Sequence, residues 1–546
     1  MKKRLLALGL AVCMFATVIT GCGGKSTSDS GKNTDNTVTS EKNTDSSSSD
    51  SKSNKEVVKI VFYNNGGANS VSGSEAGSSE EGYKKIQDYI LEKTGILVEA
   101  ILPPQDGEEE KLALLLSSGE QIDMWYGNWT EYYKTGVIQP ITEYVKAESF
   151  ANVYKLWDDW DAWIGVTDAE GNVWGVPRLT PATPYPVFVR VDWLDQLGMN
   201  MPGTFDELNE YLYAVKELDP YGNGSTLPLA ANKYEELESC FLGGFVKGGK
   251  GMWLDESENV MPVCLADGYL DFLTQVNKWY KDGILHPESF SWDTGTLRQY
   301  IGSGKAAATA CWYSRVTLEA ANTTENALNT GFDLDKYKYV YWFNEKGLTG
   351  PNGELMQTRA NASPRCLMIH SNCKNVQAAM DFIAWSFDWY NYTVEAVGLE
   401  GEHWNYDPND PNAKENHTII ETGTGAPYYR DFVASLGVPM EIQTTTFDKW
   451  GRQDQHNLWL QKWNNNFDIT QSGGCEYGMV WDKTTRDTNV PQAPDIDTYI
   501  SEQLVLFATG KRDLSEYDKF INELYKIGLD DYIAEYTRQY NEYYNK

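Results

Sequence analysis

Apolar and polar positions alternate between two periods along this chain. VVKIVFYNNGG (57–67) is a continuous apolar run stopped by two asparagines and two glycines, the pattern of a buried strand. GYKKIQDYILEKTGI (82–96) changes to helical spacing and stops at Gly95. ILVEAILPP (96–104) predicts a second strand. EEEKLALLLSSG (108–119) predicts a helix that opens on acids and closes at Gly119, an arrangement suited to the helix dipole. QIDMWYGNW (121–129) predicts a third strand. This β-α-β-α-β rhythm implies a parallel sheet covered by helices, with ligands expected where strands end and loops begin. Asn65, Trp125 and Trp129 lie at those ends and are candidate ligand contacts.

Further on, GNVWGVPRLTPATPYPVFVRVDWLDQLGM (171–199) starts as a hairpin and then runs through several prolines. A proline-stiffened segment is a candidate crossing between two lobes, and Trp174 and Arg178 stand beside it. PGTFDELNEYLYAVKEL (202–218) predicts a helix with Thr204 as N-cap and Glu207 three residues on, a capping box. A second α/β pattern occupies 226–311. GSGKAAATACWYS (302–314) reads as a helix end leading into a buried strand of small residues, expected to return the chain to the first lobe. Trp312 and Tyr313 flank that return and are candidate contacts. After the apolar-aromatic helix MDFIAWSFDWYNYTVEAV, Gly398 suits a C-cap and Gly401 a second tight turn. Glu400 and His403 are therefore expected to brace a turn, and Trp404 is a further candidate contact.

The N-terminal pattern sets a compartment. Lys2, Lys3 and Arg4 precede an apolar run, Leu5–Ile19, too short to span a bilayer comfortably. Ile19-Thr20-Gly21-Cys22 resembles the bacterial lipobox, which implies a signal peptide over 1–21 and a lipid on Cys22. Residues 25–55 hold one apolar residue, Val38, too few to offset the entropy of ordering. Residues 22–55 are thus expected to tether a globule to the extracellular face of the cell membrane.

Composition narrows the function. The ~490 residues that follow exceed one ordinary core, which implies two domains or lobes. A net charge of −32 argues against a nucleic-acid partner, since a polyanion would be repelled. Cys240, Cys264, Cys311, Cys366, Cys373 and Cys475 show no zinc-ligand spacing. Cys366 and Cys373 are the nearest pair, compatible with a disulfide or with two buried thiols. The aromatic excess, 19 Trp and 34 Tyr against 18 Phe, favours sugars: a pyranose face stacks on a ring while its hydroxyls meet polar edges.

The stretches FVRVDWLDQLGMNMPGTFDEL, LDPYGNG then LPLA, WYKDGILHPE, IGSGKAAA, GLEGEHW and TGKRDLSEYDKFINELYKIGLDDYIAEYTRQYNEYY follow one another from about residue 190 to the end. In that order they resemble the family 1 extracellular solute-binding proteins of bacterial ABC importers, in the lipoprotein branch serving oligosaccharide uptake. The resemblance implies an α/β, two-lobed periplasmic-binding-protein-like fold with crossing segments and a ligand cleft between lobes. Expected boundaries are 56–185 with 312–362 for the first lobe and 186–311 with 363–546 for the second. It implies a monomer that takes an oligosaccharide and serves an ABC permease, without catalysis and without a cofactor. It also points to Trp450, in DKWGRQDQHNLW, as ligand-facing.

Related proteins often carry an acidic, EF-hand-like loop at the position of LDPYGNG. Calcium takes six to eight oxygens. This chain offers Asp219, Asn223 and the Ser225 carbonyl, with Tyr221, Leu227 and Pro228 where ligands would be needed. A tight turn is the stronger expectation there and calcium the weaker. No GxSxG, HExxH or P-loop pattern occurs, and the five histidines are scattered. A carbohydrate-active hydrolase and a surface glycan-binding adhesin are the alternatives.

Overall fold

The structure, a computed structural model, describes residues 57–65, 80–104, 107–158, 161–178, 185–312, 315–316, 340–357, 363–420, 475 and 479–544. The expected signal segment, Cys22 and the tether lie outside these residues, as do Tyr313 and Trp450. All described residues belong to one compact unit, 56–546. Among them no helix is long and apolar enough to cross a membrane.

Thirteen strands are described: β1 (Val58–Tyr63), β2 (Ile96–Ile101), β3 (Met124–Asn128), β4 (Val176–Pro177), β5 (Val187–Arg190), β6 (Leu227–Ala230), β7 (Met252–Leu254), β8 (Val260–Pro262), β9 (Ala306–Ala310), β10 (Tyr341–Phe343), β11 (Arg365–Ile369), β12 (Trp404–Asn405) and β13 (Thr418–Ile419). Two larger sheets hold nine of them, and β12-β13 and β7-β8 form two-stranded pairs. The first has the order β2-β1-β3-β11-β4, the second β10-β5-β9-β6. β1 runs parallel to β2 and β3, while β11 runs antiparallel to β3 and β4. In the second sheet β6 and β9 are parallel, and β5 is antiparallel to β9 and β10.

Each sheet has its own core. Ile60, Phe62, Met124, Leu367 and Ile369 pack under helices Glu80–Thr94 and Val376–Ser386 in the first. Helix Phe205–Leu218 buries Phe205, Leu208, Tyr211, Leu212 and Val215 in the second, at the three- and four-residue spacing of one helix face. Its start carries the capping box: Thr204 accepts from the Glu207 N–H, and Glu207 reaches back to the Thr204 N–H. β9, the expected small-residue strand, is buried along its whole length. The Tyr211 hydroxyl meets the carbonyls of Arg190 and Ala307, tying β5 to β9. An added Cβ at Gly350 would strike Gly244, so those two loops pack backbone to backbone. The C-terminal helices Ala493–Ala508, Tyr517–Ile527 and Leu529–Tyr544 close this second core.

The chain passes from the first core to the second between 178 and 185. It returns between 357 and 363, and passes again between 420 and 475. Residues 312–362 were expected in the first lobe, yet Tyr341–Phe343 pairs with β5 of the second sheet. Residues 363–546 were expected in the second lobe, yet Arg365–Ile369 pairs with β3 of the first. The return therefore comes after β10, not after β9. The six described cysteines are free thiols, Cys366 and Cys373 included.

Candidate functional site

Strand β1 ends at Tyr63 and runs on into Asn64 and Asn65. The Asn65 side chain is fully committed: its Nδ2 donates to the Tyr126 carbonyl at 2.9 Å and its Oδ1 accepts from the Tyr126 N–H at 2.9 Å. It clamps the end of β1 to β3 instead of offering itself to a ligand. Trp125 is fully buried in the first core, edge-on to Tyr132 and His370. Trp404 is fully buried as well. Its indole donates to the Gly398 carbonyl at 2.7 Å, and Trp389, Tyr390, Tyr406 and His417 surround it. Glu400 accepts from the Tyr390 hydroxyl at 2.9 Å, the bracing role the turn predicts.

Trp129 and Trp174 behave differently. Their rings lie parallel, 3° apart, with centroids offset by 6.2 Å. Tyr133 stands edge-on to both, at 4.9 and 5.4 Å. Both indoles are anchored: Trp129 donates to the Gly165 carbonyl at 2.8 Å, Trp174 to Asp168 Oδ2 at 2.7 Å. Asp168 also accepts from the Glu170 and Asn172 amides, so its turn holds the ring of Trp174 in place. Gly165 must be glycine here, because an added Cβ would strike the Ser363 carbonyl oxygen. That close approach brings residues 363–365 beside the rings, and the Trp129 N–H donates to the Pro364 carbonyl at 3.3 Å. Trp174 and Tyr133 are half-buried and Trp129 is buried. The result is a fixed, offset aromatic platform with polar edges already oriented, suited to the flat face of a sugar ring.

This platform adjoins the seam between the lobes. The Tyr133 hydroxyl donates to Asp482 Oδ2 at 2.8 Å, and Lys134 pairs with the same oxygen at 2.5 Å. Lys134 also reaches Thr485 Oγ1, and the Thr484 hydroxyl meets the Thr130 carbonyl at 3.3 Å. Asp482 caps the short helix Lys483–Asn489, which is fixed to the second lobe by Arg486 through Asp497 and Tyr536. Burial alone would raise the Asp482 carboxyl, but Lys134 and Thr485 outweigh it and hold the group below its ordinary value. Lys134 is raised: burial opposes its charge, and the Asp482 and Tyr133 hydrogen bonds prevail.

Arg178 is half-buried with its guanidinium carbon 5.1 Å from the Tyr126 ring centre. Burial pushes it down to about 10. Tyr126 opposes that shift and Arg365 adds to it. On the second lobe, Trp312 is half-buried and edge-on to Tyr185 at 5.5 Å, 84°. Arg315 grips both carboxylate oxygens of the buried Glu236. Asn232, just past β6, donates to the Trp292 carbonyl at 3.3 Å.

Asp219 and Asn223 both adopt left-handed backbone. Asp219 Oδ2 accepts from the Gly224 N–H at 2.7 Å, and Oδ1 from the Thr226 N–H at 3.2 Å. The Thr226 side chain and then the Gly224 amide hold this carboxyl below its ordinary value. Both oxygens serve the loop itself, as the tight-turn reading requires.

Of the candidates in the sequence, Trp129 and Trp174 stand together, Arg178 lies over Tyr126 and Trp312 lies against Tyr185. Tyr133, Asp168, Tyr185, Glu236, Arg315 and Asp482 are their neighbours or lie at the same strand ends and seam, and were not among the candidates. Asp168 had a local signal, an acid opening a Gly-Asn turn just before Trp174. The others take their meaning from partners far along the chain.

Comparison with known proteins agrees with this architecture. The profile of the family described as bacterial extracellular solute-binding protein matches residues 76–388, more than half of the chain. Lipoprotein LipO of Bacillus subtilis is 24% identical over 365 residues, 65% of this chain and 63% of that one, so less than two thirds of LipO is spanned. The fructooligosaccharide ABC transporter substrate-binding protein FusA of Streptococcus pneumoniae is 21% identical over 492 residues, 84% of this chain and 87% of that one. The solved structure of FusA from S. pneumoniae with kestose superposes with a TM-score of 0.62 at 18% identity, covering 89% of this chain and 100% of that one. Two lobes of mixed α/β architecture are common to both.

Proposed function

Because the chain belongs to the bacterial extracellular solute-binding protein family, we propose that it captures an oligosaccharide between its lobes and delivers it, unaltered, to an ABC permease. The observation that carries this reading is the anchored platform of Trp129, Tyr133 and Trp174 beside the interlobe seam. A ring laid on that platform is desolvated on one face, and Tyr133 is at the same time a seam residue. Ligand and lobe closure are thereby joined through one side chain. Trp312 and Tyr185 at the strand ends of the second lobe supply apolar surface from the other side. FusA, a relative of this chain, is described as fructooligosaccharide-binding, which supports a glycan ligand here.

In this reading the signal segment 1–21 is removed, Cys22 is lipidated, and the protein is a monomer held at the extracellular face of the cell membrane by its tether. It neither needs a cofactor nor transforms its ligand.

Calorimetric titration of the tether-free domain against a broad glycan panel tests the proposal. Glycans are expected to release or absorb heat with no new product on chromatography. Heat from peptides or amino acids and none from glycans would sink the sugar assignment, and time-dependent products would favour a hydrolase. Metabolic labelling with a fatty acid, lost in Cys22→Ala, tests the anchor separately.

A further inference from the structure

The chain contains three Asn-Gly steps, at Asn65–Gly66, Asn223–Gly224 and Asn352–Gly353. In such a step the asparagine side chain can fold back onto the next peptide nitrogen, since glycine has no Cβ in the way. Attack needs a side chain that is free to turn, and the three differ in that freedom. Asn65 is buried, with Nδ2 and Oδ1 both committed to Tyr126. Asn352 is exposed but clamped: Nδ2 donates to the Gly243 carbonyl at 3.0 Å, and Oδ1 accepts from the Glu354 N–H at 2.9 Å. Asn223 is exposed as well, and its side chain makes no hydrogen bond to a described residue.

The backbone at Asn223 adds to the contrast. Asn223 stands at φ 54° and Asp219 at 37°, in the left-handed region that L side chains enter at a cost; neither Asn65 nor Asn352 does so. The turn is held by the Asp219 carboxylate, which accepts from the Gly224 N–H at 2.7 Å and the Thr226 N–H at 3.2 Å. The Gly224 bond lies at an exposed position, where water replaces it at little net cost. A strained, water-exposed turn thus joins an unclamped amide to an unhindered peptide nitrogen.

We propose that Asn223 is a modification site, converting spontaneously to aspartate and isoaspartate in the folded protein. The Gly224 nitrogen bonds to Asn223 Cγ and gives its proton to a solvent base. The Cγ–Nδ2 bond breaks, ammonia leaves, and a cyclic imide remains. Water then opens the imide at either carbonyl. Both products place a new negative charge in the loop of Asp219. Isoaspartate also lengthens the main chain by one methylene, which pulls the Gly224 and Thr226 amides out of register with the Asp219 carboxylate. The inference depends on this loop alone and stands apart from the nature of the ligand.

Peptide mapping by mass spectrometry, after incubation of the whole folded protein at pH 7.5 and pH 9, tests it. Isoaspartyl-specific methylation tells the two products apart. Conversion at Asn223 is expected to run about tenfold or more ahead of Asn352, where two hydrogen bonds must break first, and to quicken with pH. In concentrated urea the clamps are gone, and the three steps should react at similar rates. Asn223→Gln should remove the early acidic variant seen on isoelectric focusing of the folded protein. An Asn223 that stays intact as long as Asn352, or an early acidic variant that persists in Asn223→Gln, would overturn the proposal.

Discussion

The two lobes present strand ends of opposite character. At the second, the charge is settled internally: Arg315 and the buried Glu236 satisfy one another, and Trp312 rests on Tyr185. At the first, aromatic rings are anchored by their polar edges, and Arg365, the first residue of β11, is exposed. A lobe that neutralises its own charge serves as a wall. A lobe that leaves ring faces ready is the one proposed to read the ligand. The difference teaches that counting aromatic or charged residues near a cleft says little until each one's internal partners are known.

The largest effect should come from breaking the self-satisfied side. Glu236→Ala strands a half-buried guanidinium, and loss of one partner of a buried pair costs about 3–5 kcal/mol. Urea denaturation should show this as a lower midpoint, while Arg365→Gln stays within about 0.5 kcal/mol, as exposed substitutions do. Equal losses at both sites would erase the contrast between the lobes.

Next comes the buried Glu395 of the first lobe, whose Oε1 accepts from the Ser386 hydroxyl at 2.6 Å. Burial pushes its carboxyl up to about 8, from an ordinary value of 4.5. The folded state therefore holds a proton that the unfolded chain releases, and stability falls as pH rises from about 4.5 through about 8. Glu395→Gln keeps the group neutral at every pH. It should stabilise the protein above pH 8, by on the order of a few kcal/mol, and flatten that part of the pH profile. Chemical denaturation at pH 5 and pH 9 checks it, and an unchanged slope would count against a buried protonated acid.

The third effect sharpens the platform. Trp174→Ala should weaken glycan binding about tenfold to a hundredfold, the range of an interface hot spot, whereas Trp404→Ala should lower stability and leave affinity in the surviving folded protein unchanged. Titration and melting curves together separate the two tryptophans.

The smallest concerns the seam. Lys134→Met removes an exposed cation from Asp482 and should cost less than about 1 kcal/mol of closure, with affinity down a few-fold. Because the Asp482 carboxyl is held below its ordinary 3.8, its contribution is full above that value. It is lost only as pH falls through the lower folded one. Binding that weakens already at pH 6 would show that another group closes the lobes.

Local features of the fold were legible in the sequence. The strand-helix rhythm of the first hundred folded residues, the Thr204–Glu207 box, the left-handed Gly119 after its helix and the buried small-residue strand all follow from short-range pattern. Lobe membership was not. Nothing local in Tyr341–Phe343 or Arg365–Ile369 says which sheet each joins, because that depends on partners far away in the chain. The same limit governs the site. Trp125, Trp129, Trp174 and Trp404 look alike as letters, since a ring with one polar edge suits a core as well as a cleft. What separates them is where the edge is tied and which face remains, and that is decided in three dimensions.

Strand β11 is exposed at its first residue and buried at the following four. The four hold the sheet together, and the first stands clear of the core. A substitution at that opening residue changes the surface with the scaffold left untouched, so surface chemistry and foldability, written in adjacent letters, can evolve separately.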